Sequence, residues 1–123
     1  MLMLKGKKYD TPSLFEGSIH DDRRELEGLL NELEGILEES AFDGRIVKEA
    51  LVKIENVVGE TIDHGYPDSK VHQIDVLMRD DHGLNIVIRD DSKNRIMVPE
   101  GIKRAYSLDM NIYYINIQNP NPA

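Results

Sequence analysis

A strand-like run ends on the acidic pair Asp90-Asp91, and a helix-period run before it carries Asn56 and Glu60 and closes on His64-Gly65-Tyr66. These residue types and spacings can do chemistry. Asn56 and Glu60 lie four residues apart and so share one helix face. Two oxygen ligands placed in this way suit a magnesium ion. The pair also lies far from the apolar stripe of its own helix, where solvated polar residues are the usual occupants. Asp90 stands where the chain leaves a strand, a place for a turn-forming acid or for a carboxylate that recognises a base edge by hydrogen bond. His64, beside Gly65, reads as a helix-end imidazole that caps carbonyls or packs sideways. His20, His72 and His82 are scattered without ligand spacing, which argues against a histidine metal cluster.

The elements that must position these groups follow from periodicity. Tyr9, Leu14, Phe15 and Ile19, interrupted by Pro12, predict one short edge strand within residues 7–19. Asp21-Asp22 opens an amphipathic helix whose Leu26, Leu29, Leu30, Leu33, Ile36 and Leu37 repeat at three and four residues. The segment from Ser40 to Gly44 breaks it, and Asp43 is placed to cap a second helix. That helix carries Val47, Ala50, Leu51, Ile54, Val57, Val58, Thr61 and Ile62 on one stripe until Gly65 and Pro67 stop it. Alternation of Ile74, Val76 and Met78 predicts a strand over 71–79, and Leu84, Ile86 and Ile88 predict its hairpin mate beyond a turn at 80–83. A loop over 90–94, a short strand over 95–98, one or two helical turns over 101–108 and a strand over 112–117 complete the chain. Tyr113 and Tyr114 fall on opposite faces of that last strand, and the tail from Gln118 reads as a frayed end. Strand, helix, helix and then three or four strands describe an α+β chain. The architecture expected is a two-layer sandwich, helices on one face of a mixed, mainly antiparallel sheet.

Composition narrows the class. The 123 residues predict a single domain over 1–123, with a core over about 10–117 and flexible ends. Forty per cent hydrophobic and 31 per cent charged residues match a globular protein. The net charge of −8 argues against nucleic acid and anionic membrane surfaces as partners, because both demand clustered Lys and Arg. There is no cysteine, hence no disulfide or thiolate chemistry, which fits a reducing cytoplasm. No apolar run approaches the roughly 20 residues that span a bilayer, and the start, Met1 to Lys8, lacks the order of a secretory signal. A cytoplasmic protein is expected.

The helix running into TIDHGYPDSK, followed by the strand LNIVIRDDSKN, resembles the GHKL (histidine-kinase-like) ATPase superfamily, and within it the anti-sigma-factor serine kinases. The resemblance extends over residues 10–117, and its specific parts are the His-Gly-Tyr tract and Asp90. It implies a shortened histidine-kinase-like ATPase fold in which ATP and Mg²⁺ are bound. Asp90 would then recognise the adenine amino group. Glu60 falls where the family's magnesium-holding Asn stands, and Asn56 where its Glu stands. Asn56, Glu60 and His64 thus become implied nucleotide-site residues, with Asn56 and Glu60 as implied metal ligands. Ser92 and Asn94 replace two glycines of the phosphate loop, and Gly101 is what remains of a second glycine-rich segment. No lid of the family's length fits between Asn94 and Gly101.

These departures set the functional expectation. Asn56 cannot act as a base at neutral pH, and phosphoryl transfer depends on groups that position phosphate. The primary reading is a regulatory domain without catalytic turnover, whose partner is a protein, a regulator or sigma-like factor. An ATP-dependent protein serine kinase is the second reading. An α+β oligomerisation module joined through a sheet edge, giving a homo-oligomer, is the third, with the strand over 112–117 as a candidate unpaired edge.

Overall fold

The computed structural model describes residues 13–118. The expectations placed on Tyr9, Pro12 and the tail beyond Gln118 fall wholly or partly outside that range. Strand β1 (Ser13–His20) leads into helix α1 (Arg23–Glu39) and helix α2 (Gly44–Glu60), which runs on into a π-helical turn, Thr61–Gly65. Strands β2 (Gln73–Asp80), β3 (Leu84–Asp90), β4 (Lys103–Ser107) and β5 (Met110–Ile117) follow. The strands form one sheet in the order β1-β2-β3-β5-β4, and each of its four pairings is antiparallel. The chain is α+β, as predicted, but no parallel pairing occurs among the described strands.

Helix starts are set by side chains. Asp22 caps α1 by accepting from the Arg24 amide, and Asp43 caps α2 by accepting from the Arg45 amide, both at 2.7 Å. The buried residues of the helices are those that the periodicity selects: Leu26, Leu29, Leu33 and Leu37 on α1, and Ile46, Val47, Ala50, Ile54, Val57 and Val58 on α2. On the sheet, Ile74, Val76 and Met78 of β2, Leu84, Ile86 and Ile88 of β3, and Tyr113, Ile115 and Ile117 of β5 are buried in the same cluster. Their neighbours in sequence, such as Asp75, Arg89 and Tyr114, stand half-buried or exposed on the other side. Burial of one stripe per helix and alternate residues per strand gives the chain a single core.

Two predicted elements are corrected. Residues 101–108 are not helical: Lys103–Ser107 is a strand, and Arg104 lies opposite Tyr113 and Ala105 opposite Ile112. Residues 95–98 form no strand but a link without regular structure. β5 is therefore paired on both sides and is not an open edge; β1 and β4 are the outer strands. Pairing with β5 across a tight turn outweighs the helix-favouring Lys, Arg and Ala of 103–105.

The β4–β5 hairpin turns on two residues, Leu108 and Asp109, with φ of 53° and 64°. Positive φ at both central positions marks a type I′ turn, which favours Asn-Gly. A branched side chain at Leu108 is strained there. The double substitution Leu108→Asn/Asp109→Gly should raise the unfolding free energy by about 1 kcal/mol in urea titrations, by removing left-handed strain.

Candidate functional site

The end of α2 and the end of β3 meet at Gly65. There the Lys93 and Asn94 amides both donate to the Gly65 carbonyl, at 3.1 and 3.0 Å. The Asn94 side-chain amide donates to the His64 carbonyl at 3.0 Å. The π-helical turn leaves C-terminal carbonyls without partners within the helix, and the loop after β3 supplies the missing donors. Gly65 is buried, and a Cβ built on it would stand 2.9 Å from Ser92 Cβ. No real side chain tolerates that distance without a shift of the loop.

Below this contact lies a buried polar cluster. Asp90 is fully buried at the end of β3, and its Oδ1 accepts from the Ser92 amide at 2.8 Å and from Asn111 Nδ2 at 3.0 Å. Asn111, facing Asp90 from β5, also donates to the Ser92 carbonyl and hydroxyl, each at 3.0 Å. Asp90 Oδ2 and the hydroxyls of Tyr66 and Tyr113 are buried without a hydrogen-bond partner. Burial, and then the Asp90 carboxylate, pushes the Tyr113 hydroxyl up to about 12. Burial likewise raises Tyr66, with Asp90 and Asp91 adding to it. Both phenols therefore keep their protons at neutral pH and remain donors. Arg104 lies 5.3 Å from the centre of the Tyr113 ring, a cation–π distance.

His72 closes the outer side. Its ring stacks on Tyr66 with centroids 3.9 Å apart and planes 7° apart. Nε2 lies 2.7 Å from Asp68 Oδ1 and Nδ1 lies 3.3 Å from Asp91 Oδ1. A carboxylate at each ring nitrogen favours the imidazolium, which donates from both. The hydrogen bond to Asp68 is the main cause that holds the His72 pKa above its ordinary value, and His72 in turn lowers Asp68.

The structure thus brings Asp90, Ser92, Asn94 and the backbone of His64 into one place. No hydrogen bond or ion pair joins Asn56, Glu60 or Gly101 to that cluster among the described residues. Asn56 is exposed on α2, and Glu60 is half-buried within the field of Arg23, whose guanidinium hydrogen-bonds Asp63. A dication held by Asn56 and Glu60 would have that cation as neighbour, and no group of three or more His, Asp or Glu is gathered for a metal among the described residues. The donor set does not fit resident magnesium. Gly101 is exposed, with φ of 93°, on the link before β4. For a nucleotide the fit is divided. The unpartnered Asp90 Oδ2 suits an amino group, whereas the Ser92 side chain is buried and the Lys93 and Asn94 amides are engaged by Gly65. Sequence reasoning missed Asn111, which looks like any polar strand residue until the β3–β5 register sets it opposite Asp90. It also missed the His72 clamp, whose two acids come from different loops. No family model matches the chain, and no curated protein matches it. No described helix is long and apolar enough to cross a membrane.

Gly65→Ala should cost about 1–3 kcal/mol through displacement of Ser92, whereas Gly35→Ala, with open space around its Cβ on α1, should stabilise by about 0.5–1 kcal/mol. Urea titration of both variants checks the pair. For His72, the folded-state pKa is raised, so its contribution is complete below the unfolded value of about 6.5 and is lost as pH rises through the folded pKa. The stability gap between the wild-type chain and His72→Gln should accordingly be constant below about pH 6.5 and shrink above it, as followed by melts at a series of pH values.

Proposed function

We propose that this domain is a regulatory protein-binding module on a scaffold similar to the histidine-kinase-like ATPases, related in its mode of action to anti-sigma regulators, and that it does not turn over ATP. The observation that carries this reading is the closed loop over 90–94. The backbone amides of Lys93 and Asn94, which an open phosphate cradle would present to nucleotide, are spent on the Gly65 carbonyl. The Ser92 side chain points into the buried cluster with Asn111 rather than outward. Asn56 and Glu60 make no hydrogen bond or ion pair to the Asp90 cluster, and positioning of phosphate and metal is the substance of phosphoryl transfer. What remains is a rigid α+β scaffold, and a protein partner is the reading it favours.

One observation supports the second reading, in which nucleotide still binds. Asp90 Oδ2 is a buried acceptor without a donor, and an adenine amino group would supply one. The two readings separate by thermal melting, because a ligand held by the native state raises the midpoint. No shift is expected with millimolar ATP and magnesium. A rise that disappears in Asp90→Asn, which keeps the shape of the side chain and its Oδ1 acceptor, would overturn the protein-binding reading in favour of a nucleotide site.

A further inference from the structure

Helices α1 and α2 are joined by the short link over 40–43, and the start of α1 meets the end of α2 through Arg23 and Asp63. They therefore lie antiparallel, with a groove between their flanks. Two adjoining clefts of about 430 and 360 Å³ share Leu30, Asn31 and Glu55 and make this groove continuous. Its floor is apolar: Leu30, Phe42 and Leu51 are only partly buried, and Val52 is 47 % exposed. Its rim is acidic. Glu27, Glu34 and Glu38 follow one another along α1, and Glu55 faces them from α2. Against these four carboxylates stand three cations, Arg24, Lys48 and Arg23, the last already paired with Asp63 at the groove's end.

We propose that this groove binds a basic amphipathic helix of a partner protein. An apolar floor between two helices accepts the apolar stripe of a third, the helix-in-groove mode of recognition. From Glu27 to Glu38 the rim runs about 16 Å at 1.5 Å per residue, which matches about three turns of a bound helix. Lys or Arg flanking its apolar stripe would meet the acidic rim, and charge complementarity of this kind selects the partner and speeds encounter. A second copy of this chain is the wrong occupant. Two such grooves face to face would set carboxylate against carboxylate, and a net charge of −8 already makes copies repel. The inference rests on the protein-binding reading above and names the chemistry of the partner.

The test uses the full chain and a labelled synthetic helix of about 14 residues, Leu on one stripe and Lys on its flanks, followed by fluorescence anisotropy. Saturable binding is expected. It should weaken about tenfold in Glu34→Lys/Glu38→Lys and also weaken in Val52→Asn, yet hold in Glu32→Lys, whose carboxylate lies off the groove. All four substituted side chains are exposed, so the variants should fold, and their melts check this. Equal binding of a version with Glu in place of Lys, or loss of binding in Glu32→Lys alone, would overturn the groove. So would concentration-dependent dimerisation abolished by the Glu34→Lys/Glu38→Lys pair, because the occupant would then be a second copy. The nucleotide melt is independent of this result. A flat melt with no peptide binding sinks the groove and leaves the protein-binding reading standing, while an ATP-dependent rise with groove-specific peptide binding keeps the groove and overturns only the claim that the domain has no nucleotide site.

Discussion

Two amides sharing one carbonyl tie the helical half of this molecule to its sheet. The Gly65 carbonyl lies at the end of the π-helical turn, and the Lys93 and Asn94 amides that reach it lie just beyond β3. The contact is possible because residue 65 has no side chain: a Cβ would collide with Ser92. Much else is a consequence of that approach. It turns Ser92 inward, where its backbone and hydroxyl meet Asn111, and it brings the Asp90 carboxylate under cover. Ligand sites and helix ends elsewhere commonly use such free carbonyls and amides for partners; here they satisfy each other.

The buried cluster is a compromise. A carboxylate removed from water is costly unless it is hydrogen-bonded, and Asp90 has good donors on one oxygen only. Two protonated phenols lie in its field, Tyr66 from the segment after the helix and Tyr113 from β5. The His72 ring against Tyr66 fixes the outer phenol, and Asp68 and Asp91 fix the ring. Polar order of this kind specifies one arrangement of loops more sharply than apolar packing does. It joins the segments over 66–72 and 91–102, neither of which belongs to a helix or strand.

Much of the fold was legible in the residues, and the reasons are local. The heptad-like leucines of α1, the stripe of α2, the capping acids Asp22 and Asp43 and the β2–β3 alternation each act within a few positions along the chain, and each fell where periodicity placed it. β4 was misread because its side chains, mostly exposed, carry no alternation, and its state is decided by β5. The short run over 95–98 has the residues of a strand but pairs with none of the described strands. At the site, Asp90 was recognisable as a strand-end carboxylate, whereas its burial was not, because Asn111 and Tyr113 reach it only through the register of two strands. Asn56 and Glu60 were correctly read as helical positions four residues apart on α2, but that spacing alone says nothing of what stands beyond the helix.

The sheet order has a kinetic side. β2 with β3, and β4 with β5, are hairpins joined by short turns, so their closure asks little of chain entropy. β1 is different: both helices intervene between His20 and its partner Gln73. Pairings that enclose a long stretch of chain form slowly, because the entropy of closure is lost before the contacts are gained. Among the described strands β1 also lies at an outer edge, with one neighbour. Closing β1 onto β2 thus spans more chain than any other pairing of the described sheet, and it is the step that asks most of chain entropy as the sheet assembles.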